Sequence, residues 1–180
     1  MKQKKKIFEQ HLYHEIEDEE KADEYLENSL PLIGRIIMYF NGLEKSLDGV
    51  ICEIFTDRTD STGLIVLHKM GYSTKVDLFK RFSDDFHYIR DKKIEGYENL
   101  IVNLKETGRL RNLVVHADWE NTDNDGYTYV NLKISKDGMK QEYLQFSKDS
   151  LEEILELIFD TRKQLSEYWE KRNEEIYKKL

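Results

Sequence analysis

The chain has 180 residues, 36 of them acidic and 28 basic, for a formal net charge of −8. That length suits a single domain with a sizeable core, and the acidic balance excludes a protein that coats nucleic acid by bulk electrostatics, because such binders are normally basic. Charged residues at 36%, hydrophobic residues at 39% and one proline point to long helices beneath a heavily charged surface.

The basic opening MKQKKKIFEQ leads into no apolar run, so no secretory signal is expected. Residues 7–27 carry Ile7, Phe8, Leu12, Ile16, Tyr25 and Leu26 at sparse helical spacing around EIEDEEKADE. This predicts a peripheral acidic helix within 1–28 that has one thin apolar edge. His11, Glu15 and Asp18 fall at i, i+4 and i+7 on it, a spacing compatible with a metal, but a solvated charged face accounts for them more simply. Asn28 or Ser29 then caps a second helix, with Pro31 in its first turn, where a missing N–H costs nothing. Ile33, Ile36, Ile37, Phe40, Leu43, Leu47, Val50, Ile51, Ile54 and Phe55 form a broad stripe that predicts a central helix. Cys52, the only cysteine, lies within it as core filler, which precludes an internal disulfide and suits a reducing cytoplasm. Glu44, at the stripe's edge, is placed either to orient Arg111 or His116 or to reach solvent or a lysine.

TDRTDSTG is a turn-rich link, and GLIVLHKM is a short apolar segment ended by Gly71, with His68 as a structural residue. Ser73 is expected to cap the next helix, with Val76, Leu78, Phe79, Phe82, Phe86 and Ile89 inward. Lys75 in its first turn either meets an anion or simply faces water. Residues 94–118 predict a further helix with Tyr97, Leu100, Ile101, Leu104, Leu110, Val114 and Val115 as its apolar positions. Gly108 within it suggests a close helix crossing, a dimer seam being one candidate. NTDNDG resembles the start of a calcium loop, but Leu132 stands where a bidentate Glu is required, so that reading is rejected. YTYVNLKI and MKQEYLQF each alternate with period two around SKDG, which predicts a hairpin over 127–146 as the one β element. Ser150 and Glu153 suggest a capping box, and Leu151, Ile154, Leu155, Ile158, Leu165, Tyr168, Trp169 and Ile176 continue a long last helix. The expected architecture is a mainly α, antiparallel helical bundle over 1–180 with one small β-hairpin inserted before the last helix. No stretch approaches the roughly 18 apolar residues of a membrane span, and no glycine-rich phosphate loop or paired-cysteine site implies a cofactor or metal.

The stretch with chemistry is RLRNLVVHADW, residues 109–119, which places Arg111, Asn112 and His116 at the end of an apolar helical run. Arginine is a permanently charged phosphate binder, and histidine can trade a proton near neutral pH. Asn112 and His116 share a helix face, whereas Arg111 lies about 140° round the helix from His116. A productive site therefore requires Arg111 to bend round or a second copy to supply it, which favours a composite site at a symmetric dimer seam. Arg81 and His87, six residues apart where Arg111 and His116 are five, also fall within a four-to-six spacing, but they lack the polar residue after the arginine and sit among the carboxylates of RFSDDFH.

An arginine, a polar residue, and a histidine four to six residues after the arginine near a helix end resemble the HEPN superfamily (higher eukaryotes and prokaryotes nucleotide-binding). Ala117 and Trp119 after the histidine add to the likeness. The resemblance implies a helical, usually dimeric domain. In its active members it implies a metal-independent endoribonuclease of toxin–antitoxin, abortive-infection and CRISPR-linked defence systems, with RNA as substrate and an antitoxin or defence protein as partner. On that reading Arg111, Asn112 and His116 are catalytic, and Glu44, Asp118 and Trp119 support them. The alternative is a non-catalytic module that dimerises or binds a partner or nucleic acid through the same helix end. In members silenced by a partner nucleotidyltransferase a tyrosine stands two residues after the histidine; Asp118 occupies that position here, which argues against such regulation.

Overall fold

A computed structural model describes residues 4–9, 18–55 and 61–177. In chain order they form strand β1 (Lys5–Glu9), helices α1 (Glu19–Phe55), α2 (Ser61–Leu67), α3 (Tyr72–Arg90) and α4 (Tyr97–His116), a 3₁₀ turn (Trp119–Asn121), strands β2 (Tyr127–Ser135) and β3 (Gly138–Gln145), and helix α5 (Lys148–Tyr177). The protein is mainly α, with an antiparallel hairpin before the last helix, as the periodicities predict. Among the described residues no helix is long and apolar enough to cross a membrane.

The expected acidic helix is where sequence and structure part. Residues 5–9 form a strand antiparallel to β3, giving a three-stranded sheet of order β1-β3-β2 with Ile7 opposite Glu142. Residues 10–17, including His11 and Glu15, lie outside the described residues. The chain becomes helical at Glu19, and the Asp18 carboxylate accepts the Lys21 N–H at 3.1 Å, so Asp18 rather than Asn28 or Ser29 is the cap. No boundary occurs at Pro31, which lies inside α1. Proline removes one backbone bond at a cost of about 3 kcal/mol in a helix interior. Here it is exposed, while Ser29, Leu32, Ile33 and Ile36 on the neighbouring face are buried. The Ser29 hydroxyl also donates to the Tyr25 carbonyl at 2.8 Å. Burial of the stripe outweighs the local helix-breaking preference.

The described residues divide into two compact units, one of residues 1–37 and 110–155, the other of residues 38–109 and 156–180. In the first, the sheet packs with Leu110, Val114, Phe146, Leu151 and Ile154 in the buried set. Lys5 and Lys133 both donate to Glu142 across the strands, at 2.5 and 2.6 Å. Burial pushes the Glu142 carboxyl up, but the two ammonium groups outweigh it and hold the pKa at about 2. A bulge between Tyr129 and Asn131 shifts the β2–β3 register.

The second unit is built on Phe40, Leu43, Leu47, Ile51, Phe79, Leu100, Leu104, Ile158 and Leu165. Its helix starts differ from those expected. Residues 56–60 of the predicted link lie outside the described residues, and Ser61, Thr62 and Gly63 are already helical. Helix α3 starts after Gly71, in extended conformation, and not at a Ser73 cap. Lys75 is neither an anion site nor exposed. Its buried ammonium donates to Glu44 at 2.8 Å and Asp48 at 2.9 Å, contacts that raise its pKa against the lowering effect of burial. Two positions expected inward face out: Ile89 is 70% exposed and Val115 37%. In the first unit α5 starts one turn early, where Ser147 Oγ accepts the Ser150 N–H at 3.2 Å, so Ser150 is a first-turn residue and not the cap.

Gly108 marks a close approach, but within the chain. A Cβ there would sit 2.8 Å from the Tyr72 ring, whose hydroxyl donates to the Leu104 carbonyl at 3.0 Å and whose pKa burial pushes up to about 12. Gly→Ala in an unconstrained helix stabilises by up to about 1 kcal/mol. Gly108→Ala should instead destabilise by about 1–3 kcal/mol through overpacking against Tyr72, read as a lowered denaturation midpoint. Tyr72→Leu in the same background should recover much of the loss; a neutral Gly108→Ala would refute the packing role.

Candidate functional site

Helix α4 ends at His116 because the groups that follow occupy its terminus. The last carbonyls of a helix have no partner within it, and here the Trp119 indole N–H donates to the Val114 carbonyl at 2.8 Å. The Trp119 ring packs on Phe146 with centroids 5.1 Å apart. One residue earlier the Asp118 N–H donates to the Tyr129 carbonyl at 2.9 Å, bridging the helix exit to β2. The base of the hairpin therefore lies against the residues that directly follow the motif histidine. Asp118 Oδ2 accepts a bond from the Asn121 amide at 2.6 Å.

Within the motif, the half-buried Arg111 donates from Nη1 to Asn112 Oδ1 at 3.0 Å. Asn112 and His116 are exposed. The structure thus joins Arg111 to Asn112 and leaves His116 as an exposed final helical residue, with no side-chain hydrogen bond among the described residues. Glu44 is held by Lys75, and Trp119 and Asp118 anchor the backbone after the helix. Beyond Trp119 lies a hollow of about 240 Å³ lined by Glu19, Ala22, Asp23, Leu26, Glu120 and Thr122. Its carboxylates repel a phosphate from that side.

The loop NTDNDG has a structural role. The buried Asp123 carboxylate accepts the N–H groups of Asp125 at 3.1 Å and Tyr127 at 2.8 Å, an Asx turn that launches β2. Gly126 adopts φ +81°, and a Cβ there would collide with the Tyr25 hydroxyl. Asp18, the described member of the candidate metal triplet, pairs with Lys21 at 2.7 Å. Among the described residues no three His, Cys, Asp or Glu side chains are grouped to hold a metal.

The second arginine–histidine pair is of another kind. Arg81 is exposed, but His87 is 5% exposed and its Nε2 accepts the Ile94 N–H at 3.3 Å. The ring stands edge-on to Tyr97 with centroids 4.5 Å apart, and Tyr97 donates to Asp84 at 2.6 Å. His87 is a core residue that fastens the α3–α4 connection. No protein-family model, curated protein or solved structure matches the chain.

Burial lowers the His87 pKa against the attraction of Asp84 and Glu98, with Lys93 and Arg172 adding to the lowering. The unfolded chain takes up this proton near the ordinary imidazole value of about 6.5, while the folded chain does so only at lower pH. The stabilisation is therefore present above about pH 6.5 and is lost as pH falls through the folded value. His87→Gln should flatten the decline of melting temperature between pH 7 and 5, and parallel curves for variant and parent would contradict the assignment.

Proposed function

We propose that the chain is a metal-independent endoribonuclease of the HEPN type, which cuts RNA at a site completed by a second copy of the chain. The observation that carries this reading is the pairing of Arg111 with Asn112 at 3.0 Å next to an exposed His116 that has no side-chain hydrogen bond among the described residues. A histidine held by the fold, as His87 is, has little freedom to trade a proton; His116 has that freedom. In the reaction, the ribose 2′-oxygen attacks the adjacent phosphorus and the 5′-oxygen leaves. The products are a 2′,3′-cyclic phosphate and a 5′-hydroxyl. One group must take the 2′ proton and another must give one to the leaving oxygen. One His116 per chain supplies one such group, so a symmetric pair of chains supplies both. Arg111 neutralises the charge that builds on the phosphorane oxygens, and Asn112 orients Arg111 or a phosphate oxygen. The family likeness suggests a toxin–antitoxin or anti-phage system with an antitoxin or defence protein as partner, and the single cysteine suits a reducing cytoplasm. The acidic hollow beside Trp119 favours a second reading, in which the same helix end docks a partner protein without chemistry.

His116→Ala should lower RNA cleavage at least about a hundredfold, and Arg111→Ala by a similar factor. Arg111→Lys should recover little, because an ammonium cannot reproduce two-pronged contact with phosphate oxygens. Cleavage should persist in EDTA, leave cyclic-phosphate ends and be unchanged in Arg81→Ala. A purified protein that cuts no RNA, or cuts equally well without His116, overturns the enzyme reading in favour of the docking module. Light scattering that shows a monomer at micromolar concentration removes the shared site.

A further inference from the structure

A cluster in the second unit, independent of the reading of Arg111 and His116, presents two arginines on an aromatic support. Phe86 and Arg90 lie one turn apart on α3, and Trp169 and Arg172 one turn apart on α5. The Arg172 Cζ stands 4.7 Å from the centroid of Phe86 and 4.7 Å from that of Trp169; the Arg90 Cζ stands 5.7 Å from Phe86. Glu53 of α1 accepts the Trp169 indole N–H at 2.6 Å, which fixes the indole. That carboxylate also attracts Arg172 through space, but among the described residues none forms a hydrogen bond or close ion pair with either arginine. Arg172 Nε is shielded from solvent and has no hydrogen-bond partner.

A guanidinium has two flat faces and an edge carrying five N–H donors. The rings attract its faces but give its edge no hydrogen-bond acceptor. An arginine serving only as cover for aromatic surface would carry its N–H groups out to water; here one is dehydrated and the side chain is held in place by two rings. Burial disfavours the Arg172 charge and Arg90 adds to that effect, against the attraction of Tyr168 and Glu53, which offsets it only in part. A nearby anion relieves both unfavourable effects.

We propose that Arg172, assisted by Arg90, binds a phosphate group. Two guanidinium charges on one ring match a phosphate monoester, which carries about −1.5 to −2 at neutral pH, better than a singly charged carboxylate. Three phosphate oxygens can also accept the edge donors in parallel pairs. The same chemistry is offered by a small phosphorylated metabolite or by a nucleic-acid backbone.

The test follows the Arg172 Nε–H and Trp169 indole N–H resonances of the full chain during titration with inorganic phosphate, adenosine 5′-monophosphate or an RNA octamer lacking terminal phosphates, at constant ionic strength. Saturable shifts of both signals are expected, and they should be absent with chloride. Tighter binding of the monophosphate identifies a monoester ligand; tighter binding of the octamer identifies a backbone. Arg172→Gln should abolish saturation, and Arg172→Lys should weaken binding about tenfold through loss of the paired donors. Should Arg172→Gln unfold, Arg90→Gln, which leaves both ring contacts of Arg172 in place, should still weaken binding severalfold. Shifts that fail to saturate, that chloride reproduces, or that survive both Gln substitutions unchanged overturn the proposal. A purely structural Arg172 would lower the melting temperature without any phosphate-dependent change.

Discussion

The hydrogen bond from the Trp119 indole to the Val114 carbonyl fixes where α4 stops, and much of the first unit's geometry follows from it. A helix end left without partners frays, because its last carbonyls depend on water or on side chains. With Val114 capped by the indole, the chain must reverse within Ala117 and Asp118, and the Asp118 amide then meets Tyr129. That reversal puts β2 beside the helix exit and the Trp119 ring on Phe146. His116, the last residue of the helix, is exposed.

The same end of the helix shows what a linear pattern can and cannot reveal. Leu100, Leu104, Leu110 and Val114 recur at helical spacing and are all buried, so the helix was legible. The alternation of 127–146 likewise gave the hairpin, since period two needs no tertiary information. Arg111 and Asn112, adjacent in sequence, meet in space. The cap by Trp119 was not legible, because an indole reaching back five residues depends on a turn that only packing with Phe146 defines. Strand β1 was missed for a related reason. Its five residues hydrogen-bond to a partner more than 130 positions away, and a short run of mixed lysine and apolar residues carries no distinctive period.

Helix caps and charges failed where a local preference competed with burial. Pro31 prefers a helix start, yet the stripe it interrupts is continuous in burial, so the helix runs through. Lys75 in a first helical turn is locally unfavourable, and two carboxylates one turn apart on α1 more than compensate. Gly108 gave a correct signal of close approach with the wrong neighbour, since spacing announces that something is near and never what it is. The two histidines are the sharpest case. His87 and His116 each follow an arginine by five or six residues, but burial and the bond from Ile94 make one a fastening residue, while the other is exposed.

Phosphate binding by an acidic chain, as proposed for Arg111 and Arg172, has an apparent contradiction to resolve, and the resolution lies in distance. At physiological ionic strength the field of a net charge is screened beyond about 8 Å, so a surplus of −8 slows the encounter of an anion without setting the energy of contact. Contact energy depends on donors within hydrogen-bonding reach and on how firmly they are held. Arg111 is positioned by Asn112, and Arg172 by two aromatic rings. Among the described residues no carboxylate hydrogen bond draws Arg172 away from those rings, whereas Arg109, two positions before Arg111, is clamped by both oxygens of Glu106. That contrast separates arginines spent on the protein's own charges from arginines whose edges can meet an anion, and neither net charge nor spacing along the chain makes the distinction.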